Sequence, residues 1–203
     1  MVVTLVGAGG GTTSFAGALP SPEALPGNMV AVVSNVPISR GRITKVEFQH
    51  ELALGAVDAG RSSVPRLGEN GYERLKKSAI HNLLEATWIL GEAREMDIAV
   101  TRSEVAHEVS LIKRQSFKSR AEYLKFLREA QYTKRDVHER VELQILSTRL
   151  QRRLQARFKR EGKKEQQAFE EFVAEFNEKW RARTVCAPVY ATELCSNGPP
   201  PSA

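Results

Sequence analysis

The chain has 203 residues, of which 41% are hydrophobic and 27% charged, and a formal charge of +6. This composition suits one packed domain with appendages and excludes a wholly disordered chain, a collagen and a polytopic membrane protein. The positive charge permits nucleic acid, anionic membrane or acidic protein as partners and selects none of them.

Residues 1–28 differ from all that follows. They are rich in Gly, Ala, Pro, Ser and Thr and carry one charged side chain, Glu23. Gly and Pro at this density resist packing, so Gly9 to Asn28 is expected to be a flexible linker. The first eight residues read like the end of a signal h-region without its basic n-region. Leu5-Val6-Gly7-Ala8-Gly9 resembles a lipoprotein signal box with alanine where the lipidated cysteine stands. Two readings stay open: an export signal, with either a misplaced start or a decayed signal, or a disordered tail without meaning.

From Met29 the pattern changes. Met29 to Val33 is a short β-branched run ending at turn-prone Ser34-Asn35, and Arg42-Ile43 is a candidate partner strand. Helices follow. Thr44 with Glu47, Thr101 with Glu104 and Ser119 with Glu122 have capping-box spacing, in which a hydroxyl and a carboxylate satisfy each other's orphan amides. Thr133 with Asp136 is a shorter version, and Asn70 with Glu73 is another candidate. Apolar residues at helical spacing follow each start and predict helices over about 44–59, 71–96, 102–115, 119–130, 133–160 and 164–182. The second is apolar over more than half its circumference, which makes it central. The fifth spans roughly 42 Å. The last presents Phe169, Phe172, Val173, Phe176 and Trp180 as an aromatic stripe. The expected architecture is mainly α, with one short N-terminal strand or hairpin, a helical domain over 29–183 and a tail over 184–203.

No Gly-rich run leads into Gly-Lys-Ser/Thr, and no GxSxG elbow or CxxC pair occurs. His50, His81, His107 and His138 are scattered over four helices, none at i, i+4 from another, and read as ordinary surface or boundary residues. Carboxylates cluster in first turns and beside Lys or Arg, where dipole and pairing explain them. No cofactor or metal is implied, and nothing makes a positive case for an enzyme. Cys186 and Cys195 lie nine apart beyond the last helix. A disulfide would staple a tail with almost no core and requires an oxidising compartment; the alternative is two free thiols in a cytosolic tail. The densest basic run includes Arg149, Arg152, Arg153, Arg157 and Arg160. It suits nucleic acid phosphates or anionic lipid, or is a solvated helix end matching the C-terminal dipole. Without interleaved aromatics, nucleic acid is the less favoured partner.

An ordered set of segments carries a family resemblance. A Val-Ala-Val-Val strand at 30–33 leads to Pro37-Ile38, then to Ile43-Thr44-Lys45-Val46-Glu47-Phe48 as a helix entry. Leu83 to Gly91 lies in the long central helix, and a link follows from Ala93 through Val105. Phe117-Lys118-Ser119, Glu122-Tyr123 and Phe126-Leu127 come next, before Tyr132-Thr133, Asp136-Val137 and Arg140-Val141. Over about 30–182 the chain resembles the N-terminal chaperone domain of the SurA and PrsA type, the extracytoplasmic foldases, and more loosely the peptide-binding domain of trigger factor. The resemblance implies an ATP-independent chaperone outside the cytoplasm that binds unfolded or apolar polypeptide segments. In complete foldases of this type a parvulin isomerase domain sits between the long helix and a C-terminal helix; here Arg153 runs through Gly162 straight into the aromatic helix. The chaperone half alone is therefore implied, with a prolyl isomerase, a basic nucleic-acid-binding protein and an envelope interaction module as alternatives. Phe117, Tyr123, Phe126, Leu127 and Tyr132 are the candidate client contacts, and the same five fit ordinary core packing. The last helix is expected to return onto the early helices through Phe169, Phe172, Phe176 and Trp180.

Overall fold

The computed structural model describes residues 19–200. The signal-like stretch and Gly9 to Ala18 of the expected linker lie outside them. The β-branched run forms strand β1 (Met29–Val33), which a four-residue helix α1 (Ile38–Gly41) connects to β2 (Arg42–Thr44). The two strands pair antiparallel, Ala31 opposite Ile43 and Val32 opposite Arg42. Six longer helices follow: α2 (Lys45–Asp58), α3 (Tyr72–Glu95), α4 (Arg102–Ser116), α5 (Arg120–Glu129), α6 (Lys134–Arg160) and α7 (Glu165–Ala182). Strand β3 (Thr184–Cys186) completes a sheet of order β2-β1-β3. The fold is mainly α, as the patterning predicts.

Side chains mark the helix starts. Thr44, Thr101 and Thr133 each accept a bond from the backbone N–H three residues on, and Glu47, Glu104 and Asp136 reach back to the cap amides. Ser119 makes half a box: it accepts from the Glu122 amide, while the Glu122 carboxylate takes the Lys118 N–H instead (2.7 Å). Asn70 and Glu73 form no box. The N-cap of α3 is Gly71 at φ +90°, a left-handed conformation that glycine adopts without steric cost.

The main core lies between the sheet, α2, α3 and the end of α7. Val30, Val33, Phe48, Ile80, Leu84 and Trp88 are its bulk. Trp180 closes it against Gly91, and Phe176 meets Trp88 edge-on at 6.0 Å. The indole of Trp88 donates to Thr184 (2.9 Å), and that of Trp180 donates to buried Glu92 (2.7 Å). The expected return of the last helix therefore holds for Phe176 and Trp180. Phe172 packs in a second cluster with Leu154 and Phe158 of α6, and Phe169 stays 46% exposed.

The described residues beyond α7 pack against the main core. Thr184 to Cys186 pair with β1, Ala31 lying opposite Cys186 and Val33 opposite Thr184. Cys186 and Cys195 are joined by a disulfide and are both fully buried in the main core. The side chain of Asn197 accepts from the Cys186 N–H (3.0 Å) and donates to the Cys186 carbonyl (2.9 Å). It thereby takes the place of a further strand at the β3 edge. Three β residues between Arg183 and Ala187 are too few to show a period of two, so sequence patterning could not find this strand.

Candidate functional site

Helix α6, about 40 Å long, runs past both α3 and α4. Its first half and α4 share a small core of Val105, Val109 and Val141. The chain leaves α4 in an extended conformation at Phe117, turns into α5 at the Ser119 cap, and enters α6 through Gln131 at φ +56°. That route folds α5 over the α4–α6 pair and leaves a groove of about 390 Å³. Val109 and Ile112 of α4 and Val137 and Val141 of α6 line it. Aromatic rings form a continuous row along it. Tyr123 meets Phe117 edge-on at 5.3 Å, Phe117 meets Phe126 at 5.3 Å, and Phe126 meets Tyr132 at 5.9 Å. Aromatic neighbours at these spacings attract beyond their area burial.

The row is only partly covered. Phe117 and Tyr132 are half-buried and Phe126 is 38% exposed. Tyr123 is 6% exposed, and its hydroxyl is buried with no hydrogen-bond partner among the described residues. Cations stack on the outer rings: the Lys113 ammonium lies 4.5 Å from the Tyr123 ring centre, and the Arg140 guanidinium 4.7 Å from that of Tyr132. Burial pushes the Tyr123 phenol above its ordinary range. It also pushes up the Tyr132 phenol, against the opposing pull of Arg140. Four of the five residues singled out in the sequence thus meet in one groove. The fifth, Leu127, is buried and does not line it. The valines and Ile112 stand at helical spacing and read as core from sequence alone. Lys113 carries no sequence signal that separates it from other surface cations, and Arg140 stands out only as part of the family resemblance.

The family model of the SurA-like N-terminal domain matches residues 1–151. The chain belongs to that family. No curated protein and no solved structure matches it. SurA-like N-terminal membership makes this a chaperone-type domain, of a kind typically found in the periplasm. All five candidate client residues fall inside the matched segment, as do α4, α5 and the part of α6 that lines the groove. Helix α7, β3 and the disulfide lie beyond it.

The basic run at the end of α6 divides in two. Arg149 turns inward, donating to the Ala99 carbonyl and to Glu104. Arg157 lies over Phe158 at 5.2 Å and pairs with Glu161 at 3.8 Å. Arg152, Arg153 and Arg160 are exposed and have no ion-pair partner among the described residues. At the other end of α6, Arg40 bridges to Glu139 (3.3 Å) and Glu142 (2.9 Å), and His50 meets Asp136 (3.0 Å). No metal-holding cluster and no helix long and apolar enough to cross a membrane occur among the described residues.

Proposed function

We propose that this SurA-like domain is an ATP-independent chaperone that works outside the cytoplasm and holds apolar segments of unfolded polypeptides in the α4–α5–α6 groove. The observation that carries the reading is the partly exposed aromatic row Tyr123-Phe117-Phe126-Tyr132 over a valine-lined floor. Exposed apolar surface gathered in one groove suits a polypeptide partner. A single client side chain, fully buried, contributes about 1.5–3 kcal/mol. Holding is therefore weak per segment and reversible, and release follows by mass action as the client folds. The buried disulfide supports an oxidising compartment. Residues 29–200 act as one unit in this reading, because the strand at the end of the chain closes the sheet that begins it.

An isomerase reading has less support, since only residues 161–164 separate α6 from α7. A second surface reading rests on Arg152, Arg153 and Arg160, which suit anionic lipid. It predicts vesicle binding that falls steeply with salt.

The test is aggregation of a reduced, denatured model protein without nucleotide. Suppression at near-stoichiometric ratio, weakened by Phe117→Ala with Phe126→Ala, is expected. No suppression by the native sequence would overturn the reading.

A further inference from the structure

A second concavity, of about 470 Å³, opens beside the aromatic groove and shares Lys113, Phe117 and Tyr123 with it. Its charged lining is Lys113, Arg114, Arg120 and Lys134, with no carboxylate. Lys113 and Arg114 stand in the last turn of α4, where the helix dipole favours cations. Arg120 and Lys134 do not share that explanation. Each is the first residue of its helix, where the dipole disfavours positive charge. The acids of the same first turns are engaged elsewhere: Glu122 takes the Lys118 amide, and Asp136 takes the Thr133 amide (2.6 Å) and His50. Four like charges thus share a hollow with no ion-pair partner among the described residues. Tyr123, whose buried hydroxyl has no hydrogen-bond partner among the described residues, lines both concavities.

We infer that the paired concavities select unfolded segments in which an aromatic or large apolar side chain is followed closely by acidic side chains. The apolar groove takes the ring. The cationic hollow takes the carboxylates, with Lys113 held over Tyr123 at the boundary. Carboxylates there relieve the mutual repulsion of the four cations, and excess charge of one sign also speeds encounter with the opposite sign. The inference rests on the chaperone reading, and it adds a charge preference that an apolar groove alone lacks.

The probes are short acetylated and amidated peptides carrying one Phe followed by Glu-Glu, Gln-Gln or Lys-Lys. A fourth carries Gln-Gln and a free terminal carboxylate. Binding is read by fluorescence anisotropy at about 50 mM salt, where exposed charges are weakly screened. The Glu peptide is expected to bind about five- to tenfold more tightly than the Gln peptide, and the Lys peptide most weakly. In the double variant Arg120→Gln, Lys134→Gln, whose side chains are exposed, the Glu peptide should lose at least half of its advantage over the Gln peptide. Equal binding of the three amidated peptides overturns the charge preference and leaves the chaperone reading standing. Tight binding of the free-carboxylate peptide alone also overturns it, in favour of chain ends. A preference undiminished in the double variant shows that the hollow is not its source and overturns the inference. Binding of none overturns both readings.

Discussion

A methyl group at Gly91 would overlap the six-membered ring of Trp180. Neither side can give way cheaply, because Gly91 is inside α3 and the Trp180 indole is fully buried and bonded to Glu92. Gly91→Ala should therefore destabilise by about 1–3 kcal/mol in denaturant unfolding. An unchanged midpoint would mean that α7 does not seat there. Glu104 is a second residue whose role can be measured. The Arg149 guanidinium, with help from the Thr101 cap, holds its carboxyl down at about 2, below the ordinary 4.5. A depressed carboxylate stabilises the fold fully above the ordinary value, and the contribution is lost as pH falls from 4.5 through about 2. In Arg149→Gln the Glu104 carboxyl should titrate nearer its ordinary value, which carboxyl NMR would follow. No movement would remove the guanidinium as the cause. Such pairings were invisible in the sequence: Arg149 read as one of a basic row, and nothing local distinguishes it from Arg152 or Arg153, which face solvent.

At the scale of elements, the helices were legible because their starts are written in side chains that act locally. A threonine three residues ahead of an acid satisfies two amides wherever the helix packs. Thr133 shows how such a cap acquires a wider role, since its partner Asp136 also meets His50 of α2. Burial pushes the Asp136 carboxyl up, but the bonds from Thr133 and His50 outweigh it and hold it below its ordinary 3.8. Thr133→Ala should cost about 1 kcal/mol and raise that carboxyl, seen by thermal unfolding and carboxyl NMR. An unaltered carboxyl would leave the Thr133 backbone N–H and His50 as its main partners. Strand β3 was illegible for the opposite reason. Three residues have no period, and their identity as a strand comes wholly from the distant partner β1. The groove stands between these cases. Its aromatic residues could be picked out by type and position, but only the fold decides that Leu127 turns inward and Phe126 outward.

For the whole molecule, long-range closure is the main structural lesson. The chain begins its sheet at Met29 and finishes it at Cys186, and the disulfide to Cys195 locks the last segment beneath α2 and α3. Closing so short a loop contributes about 2–3 kcal/mol in the chain-entropy view. Reduction should lower the unfolding midpoint accordingly, and only after the buried sulfurs are exposed by partial unfolding. A midpoint insensitive to reductant would mean that the bond is dispensable. Helix α6 ties this closed half to the groove-bearing half through Arg40 and His50 at one end and the Phe158–Phe172 cluster at the other. The groove thus stands on a helix packed at both ends while its row of rings stays partly open. The most direct measurement is amide hydrogen exchange of the full chain with and without a permanently unfolded client. Slowed exchange across 109–141, at the end of α4, through α5 and into α6, is the predicted result. Protection absent there, or confined to the basic end of α6 at 149–164, would contradict the assignment of the groove as the client site.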